Sequence, residues 1–176
     1  MAIQNNYMAD APFMTATEVI AKVFTNQNTD TSLITNEILR VAEIAHIIEP
    51  LGFDFFVHLK DAFQNGTQTA EEIVLMDDWI KPTLAQFTKF ELILEIQNQS
   101  TSSGIVGNIP EFASLVNASD LNVYKQDTYR KGKVLKEQME KFLNKNVDEF
   151  PEFKNQSSGL CNSSSGTIKT HGMIIY

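Results

Sequence analysis

Apolar residues between about 31 and 49 recur every three or four positions, which is the spacing of one face of an α-helix. The members of this stripe are Ile34, Ile38, Val41, Ala45 and Ile48. Polar residues occupy the opposite side of the same helix: Asn36, Arg40, Glu43 and His46. Pro50 and Gly52 follow, and both residue types end helices. The pattern predicts a helix with one buried face that ends near residue 50.

Helices are also predicted on either side of this one. Upstream, Thr15 or Thr17 supplies an N-cap with Glu18 in the first turn. The apolar side of that short helix is formed by Val19, Ile20, Val23 and Phe24. Downstream, the segment FDFFVHLKDAF runs to Asn65-Gly66, a pair typical of turns.

The middle of the chain predicts a buried central helix. Residues 69–80 begin with a threonine cap and two glutamates, and Lys81-Pro82 then interrupts the helical pattern. Pro82 suits the first turn of a new helix that runs to about Gln97. This helix is apolar on nearly every side, which is typical of a helix buried over most of its surface. The alternative, a strand in its last turns, is disfavoured because Glu91 and Glu95 keep helical spacing.

A long loop and a long helix complete the predicted domain. Residues 100–118 are rich in Gly and Ser but carry Ile105, Val106, Ile109 and Phe112, so we expect an interaction loop with a small β-hairpin. Ser119 caps a final helix that runs to about Asn146. Cations lie off its apolar side: Lys125, Arg130, Lys133, Lys136, Lys141 and Lys145.

The predicted fold class is therefore mainly α. We expect a bundle of about five or six helices over residues 15–150, with a small β-hairpin/loop element and extended N- and C-terminal arms. The N-terminal arm is residues 1–14, and the flexible C-terminal arm is residues 151–176.

Both arms end in residues that suit an interface. The C-terminal arm is a Ser/Gly/Asn tether that leads to Ile168, Met173, Ile174, Ile175 and Tyr176. We expect this end to add as a strand to another chain; the alternative is that it folds back on its own domain. Phe13 of the N-terminal arm is assigned to the same interface.

Charge is unevenly distributed along the chain. The formal net charge is −8, and residues 1–100 hold 5 Lys/Arg against 14 Asp/Glu, whereas residues 101–154 hold 8 of each. Overall acidity disfavours general nucleic-acid binding. The basic final helix is then either a solvated face, a phosphate contact, or a surface that meets the acidic part of a neighbouring copy. We favour the neighbouring copy, a head-to-tail contact that closes into a ring.

The motifs of the common enzyme classes are missing from the sequence. There is no GxGxxG, GxxxxGK[ST], HExxH or GxSxG, and no residue is nominated as catalytic, metal-binding or cofactor-binding. His46 is interpreted as part of a solvated helix face and His58 as a packed imidazole. Cys161 makes neither an internal disulfide nor a zinc site by itself. We expect no secretory signal and no membrane span.

The order of these elements resembles the head–tail connector (adaptor) proteins of tailed bacteriophages, in particular the connector or ring proteins of crAss-like phages of gut Bacteroidales. The likeness rests on an "I..a......i...lG..f...l" pattern from Ile34 to Leu59, a "GiV" loop at Gly104 to Val106, and a final helix that ends at Phe142, Leu143 and Asn146. It covers about residues 15–150.

The resemblance implies a structural virion protein that is not an enzyme and needs no cofactor. Such proteins form a ring of about twelve copies beneath the portal, extend the DNA channel and dock the tail. The implied partners are the portal protein, other neck and tail proteins, and double-stranded DNA that passes through the lumen without specific binding. The implied location is the capsid–tail neck of the virion, assembled in the cytoplasm of the host bacterium.

Twelve residues are assigned to the oligomer and partner interface: Phe13, Ile105, Val106, Ile109, Phe112, Lys133, Lys136, Ile168, Met173, Ile174, Ile175 and Tyr176. The alternative function is a non-viral helical adaptor that binds its partners through the arms. A small hydrolase or metal enzyme is the third and weakest interpretation.

Overall fold

The computed structural model describes residues 11–24, 30–97, 100–101, 104–105 and 118–153. Helix α1 is Ala16–Val23. Helix α2 covers 36–51 in three successive segments: Asn36–Ala42, the π-helical Glu43–Ile47, and Ile48–Leu51. Helix α3 is Phe53–Asn65. Helix α4 covers 70–97 as Ala70–Val74, the π-helical Leu75–Ile80, and Lys81–Gln97. Helix α5 is Ala118–Lys145.

The mainly α fold class is confirmed in the described part of the chain. Single 3₁₀ turns at Thr31–Leu33 and Val147–Glu149 flank the helices. Two strands, β1 (Ser100–Thr101) and β2 (Gly104–Ile105), pair antiparallel over two residues each. This short pairing does not amount to the β-hairpin element expected in the loop, most of which lies outside the described residues, so that element stays a prediction.

Two of the predicted caps are capping boxes. The backbone N–H of Glu18 donates to Thr15 Oγ1, and the backbone N–H of Thr15 donates back to the Glu18 carboxylate at 2.7 Å. Thr69 and Glu72 repeat this arrangement at the start of α4. Each box satisfies backbone donors that the first helical turn leaves without a partner. Both helix starts are therefore fixed by local sequence.

Helix α2 ends close to the predicted position, whereas α4 continues through the break that was predicted at Lys81-Pro82. Pro50 lies within the last turn of α2, which ends at Gly52 with φ 76°. Pro82 lies inside α4, which is continuous through the predicted break. In both helices a π-helical segment directly precedes the proline turn. An α-helical proline clashes with the carbonyl four residues earlier, and a wider turn displaces that carbonyl, so the helix continues.

The buried face of α2 differs from the predicted stripe. The residues that enter the core are Leu39, Ala42, Ile47 and Leu51, together with Glu43. Val41 and Ala45, which the stripe placed inside, are exposed. In the regular segment before residue 43, Leu39 and Ala42 face the core and Val41 does not. The prediction also assumed an uninterrupted period of 3.6 residues, and the π segment Glu43–Ile47 changes that period for Ala45.

Helix α4 is the central helix, as predicted, and packs against α1, α2 and α5. Its Leu84, Ala85 and Phe87 are buried. Thr83 and Thr88 are also buried, and their hydroxyls donate to carbonyls one turn earlier, which satisfies them inside the core. None of the helices in the described ranges is long and apolar enough to cross a bilayer.

Candidate interaction surfaces

A buried ion pair ties residues 11–13 to the helical core. Lys60 Nζ donates to Glu43 Oε2 at 2.7 Å and to the carbonyl of Ala11 at 2.9 Å. The backbone N–H of Phe13 donates to the other oxygen of Glu43 at 2.6 Å. Burial raises the pKa of the Glu43 carboxyl, and the Lys60 cation and the Phe13 N–H offset part of that rise. The hydrogen bonds of this ion pair therefore fix residues 11–13, which precede α1, against the helical core.

Phe13 is a core residue, which corrects its assignment to an interface between chains. Its side chain is fully buried, with the Lys60 ammonium 4.1 Å from the ring centroid. The ring also makes edge contacts with Phe56 and Phe63. Because all of these contacts lie within the chain, the described end of the N-terminal arm, residues 11–14, belongs to the domain.

The cations of α5 divide into two groups by their partners. Lys136 forms an ion pair with Glu49 of α2 in the same chain. This hydrogen bond and charge lower the pKa of the Glu49 carboxyl. Arg130 and Lys131 share one carboxylate, Asp127, at 2.7 and 2.6 Å, and both remain more than half exposed. The shared contact lowers the pKa of Asp127 and leaves this turn of α5 with a net positive charge.

A groove of about 360 Å³ lies between α2 and α5. The His46 ring stacks on Phe87 with 3.9 Å between centroids, and its Nε2 lies 2.8 Å from Glu91 Oε1. Charged residues of both signs line the groove: Glu49, Lys133, Lys136, Glu137 and Glu140. This near-balance of charge does not favour a phosphate site. His46 is therefore a packed and hydrogen-bonded residue, which corrects its interpretation as part of a solvated face.

A second groove, of about 280 Å³, lies between α2 and the last turns of α4. Thr35, Ile38 and Val41 line its α2 side together with Glu37, and Glu91 and Glu95 line its α4 side. Glu91 already contacts His46, whereas Glu37 and Glu95 are exposed. We call this the acidic groove. It combines an apolar surface with carboxylates at its edges.

The other histidine in the described ranges has a structural partner. His58 Nε2 lies 2.7 Å from Glu72, the carboxylate of the α4 capping box, and the ring stacks near Phe55. This agrees with the interpretation of His58 as a packed imidazole. Within the residues that the structure describes, no group of three or more His, Cys, Asp or Glu side chains has the arrangement of a metal site.

The twelve predicted interface residues are distributed as follows. Phe13 is in the core, Lys133 is exposed beside the α2–α5 groove, and Lys136 pairs with Glu49. Ile105 lies in β2. The other eight lie outside the described residues: Val106, Ile109, Phe112, Ile168, Met173, Ile174, Ile175 and Tyr176. Their assignment to an interface stays a prediction.

Sequence reasoning missed the acidic groove. Its wall includes Ile38 and Val41, which were assigned to the buried stripe. One signal was present: residues 38–48 carry apolar side chains on more faces than a helix buried on one side needs. The spacing of Glu91 and Glu95 indicates a helix, but it does not indicate that the two carboxylates line a groove with α2.

Residues 47–163 match the family model DUF6712, described as a family of unknown function. The chain belongs to the DUF6712 family. The match covers about two-thirds of the chain and includes α3, α4 and α5. Neither a curated protein nor a solved structure matches the chain. The family description assigns no activity, so the resemblance to connector proteins stays a prediction.

Proposed function

We propose that this DUF6712 chain is the subunit of a head-to-tail connector ring in the neck of a tailed phage. In this proposal the ring lies below the portal, extends the DNA channel and docks the tail. The observation that carries it is the separation of charge between residues 125–145 of α5 and the first hundred residues of the chain. Residues 125–145 hold seven Lys/Arg against three Asp/Glu, while residues 1–100 hold 5 against 14.

The surface of α5 supports a contact between copies. Arg130, Lys131 and Lys133 are exposed on this helix. The exposed apolar residue Val134 lies next to them, and exposed Val123 lies two turns before Arg130. A surface that mixes cations with apolar side chains fits an acidic, partly apolar protein surface better than it fits free nucleic acid. The acidic remainder of the chain also suits a channel through which DNA passes without adhering, because nonspecific affinity comes from Lys/Arg contacts to phosphate.

The loop and the arm supply further contacts in the proposal. The small β-hairpin element of residues 100–118 carries apolar side chains to a neighbouring subunit or to the portal protein. The C-terminal arm adds as a strand to a neighbour, since main-chain pairing provides affinity that apolar burial over six residues does not. Both elements connect one ring to the rings above and below it.

Light scattering and native mass spectrometry test the proposal. We expect a closed oligomer at low ionic strength, and we expect its mass to fall as salt rises, because screening weakens attraction between exposed charges. The same measurements are made with the purified portal protein of a phage that encodes this chain. A ring that forms only on the portal also supports the proposal.

A chain that stays monomeric at every salt concentration, and does not bind the portal, overturns the connector proposal. A mass that does not change with salt leaves the ring in place but contradicts its electrostatic basis.

A further inference from the structure

The outer face of α5 presents an exposed valine between cations. Val134 is 47% exposed, and Arg130 and Lys131 lie one helical turn before it. Asp127 holds both cations in place, so their side chains are partly ordered before any partner arrives. Lys141 continues the face two turns later and is also exposed. Glu137, one turn after Val134, is exposed as well. The face therefore presents an apolar centre in which the three cations Arg130, Lys131 and Lys141 outnumber the carboxylates of Asp127 and Glu137 by one.

The acidic groove presents the opposite arrangement. Val41 is 42% exposed, and Ile44, one turn later on the same helix, is 40% exposed. Glu37, Glu91 and Glu95 line the groove, and Arg40 lies 3.9 Å from Glu37, so the carboxylates outnumber the nearby cation. Its volume of about 280 Å³ is large enough for an aliphatic side chain from a partner. The groove therefore offers an apolar centre with negative surroundings.

The two surfaces belong to different elements of the chain. The acidic groove is lined by α2 and α4, and none of the described α5 residues lines it. The α5 face of the same molecule therefore does not fill the groove. A ridge of one helix packs into a groove between two others in ordinary helix packing, and opposite charges fix the orientation of such a contact.

We propose that the outer face of α5, centred on Val134, docks into the acidic groove of a second copy of this chain. Arg130 and Lys131 then lie against Glu37 and Glu95 of that copy. The contact joins two unlike surfaces, so it is head-to-tail and extends to a ring when the rotation between copies closes. This inference rests on the association of copies in the proposed function and specifies which surfaces make it.

Charge reversal tests the contact by sedimentation of the full-length chain at low salt. Arg130→Glu is expected to weaken self-association by about tenfold or more, because it places like charges together. Lys22→Glu, the same charge change at an exposed position of α1, is expected to leave association within about twofold of wild type. Combining Arg130→Glu with Glu95→Lys is expected to restore association, whereas Arg130→Glu with Asp61→Lys, on α3, is not.

Disulfide cross-linking tests the register in a Cys161→Ser background. Val41→Cys and Val134→Cys in one chain are expected to give a ladder of cross-linked copies under mild oxidation. The matched control replaces Val41→Cys by Val74→Cys, which lies on α4 and is 45% exposed beside Asp77 and Asp78. Val74 also has acidic neighbours, so this control separates the acidic groove from a general acidic surface.

The outcomes of these two experiments distinguish failure of the proposed contact from failure of the connector function. If wild type associates and Arg130→Glu associates as well as Lys22→Glu does, the inference about the contact is overturned, and the ring itself is not affected. A ladder with the Val74→Cys control but not with Val41→Cys also overturns it. Cross-links that stop at a dimer support the contact and count against the ring. Wild type that does not associate at low salt overturns the contact, and portal binding then decides the connector function independently.

Discussion

At the scale of single residues, the Glu43–Lys60 pair gives the core its polar centre. Both side chains are almost completely buried, at 3% and 2% exposure. Lys60 also donates to the Ala11 carbonyl, and Glu43 also accepts a hydrogen bond from the Phe13 N–H. Both charged groups therefore make hydrogen bonds beyond their ion pair. A buried pair is stable only when its other hydrogen-bonding positions are satisfied in this way.

Lys60→Met is expected to lower the free energy of unfolding by about 3–5 kcal/mol, because the Glu43 carboxylate is left buried without its cation. The double variant Glu43→Gln/Lys60→Met is expected to lose less than Lys60→Met alone, since the amide that replaces the carboxylate is neutral and still accepts the Phe13 N–H. Urea unfolding followed by circular dichroism measures both. Glu37→Gln, at a carboxylate that is 77% exposed beside the half-buried Arg40, is the control; in the dilute, monomeric chain it should change stability by no more than about 1 kcal/mol.

The ion pair between Glu49 and Lys136 predicts a pH dependence. The pKa of Glu49 is lower in the folded chain because Lys136 hydrogen-bonds to its carboxylate. A lowered folded pKa gives stability that is present above the unfolded pKa, about 4.3, and is lost as pH falls through the folded value. We therefore expect wild type to exceed Glu49→Gln in urea midpoint near pH 7, by a small amount because Glu49 is exposed.

The difference between these two proteins should shrink as pH falls below the unfolded pKa and disappear once Glu49 is protonated in the folded chain as well. Other carboxylates with a lowered pKa, such as Glu18 and Asp127, are present in both wild type and Glu49→Gln. Their contributions to the pH dependence of stability therefore cancel in the comparison. A difference that is equally large in acid would show that Glu49 acts through packing and not through its charge.

At the scale of helices, α4 and α5 approach closely at one glycine. A Cβ on Gly132 would lie 2.9 Å from the Phe87 ring, closer than such atoms pack. The ring is 2% exposed and is stacked on His46, so it has little room to move. Gly132 therefore sets the distance between the two longest helical elements.

Gly132→Ala is expected to destabilise the chain by about 1–3 kcal/mol, through overpacking against Phe87. Helix propensity alone predicts the opposite sign, a gain of about 1 kcal/mol. Thermal and urea unfolding give the sign directly. Gln138→Ala, at an exposed position of the same helix, is the control and should stay within about 0.5 kcal/mol of wild type.

The helices were predicted most accurately where local signals act alone. Thr15 and Thr69 cap the helices at which they were placed, and Gly66 ends α3 with φ 65°. The end of α2 near residue 50 was also predicted correctly, whereas the break predicted at Lys81-Pro82 was wrong, because a π segment accommodates the proline ring and α4 continues. Such segments form when packing favours an extra residue in the turn, and no local pattern records that.

At the scale of the whole molecule, the C-terminal arm provides a prediction that is separate from the α5 contact. Deleting residues 167–176 is expected to leave the circular dichroism spectrum and the thermal midpoint of the helical core nearly unchanged. The same deletion is expected to reduce assembly, measured as ring mass or portal binding, because it removes the segment that we propose pairs as a strand with a neighbour.

A chain of equal length in which Ile174 and Ile175 are replaced by Ser controls for loss of the tether. It should assemble as poorly as the deletion. Normal assembly of the truncated chain would contradict the role of the arm, and a lowered thermal midpoint would favour the alternative that the arm folds back on its own domain.

The sequence by itself determined the helical class, the capped starts of α1 and α4, the central position of α4 and the basic character of α5. These follow from periodicity, capping residues and charge, which act within a few positions of the chain. Tertiary structure alone decided that Glu43 is inside, that Phe13 belongs to the core, and that Val41 is left exposed beside the acidic groove. The reason is that a charged residue is buried only where a partner from another helix, here Lys60, meets it, and the packing of α2 against the other helices determines which of its apolar side chains remain outside.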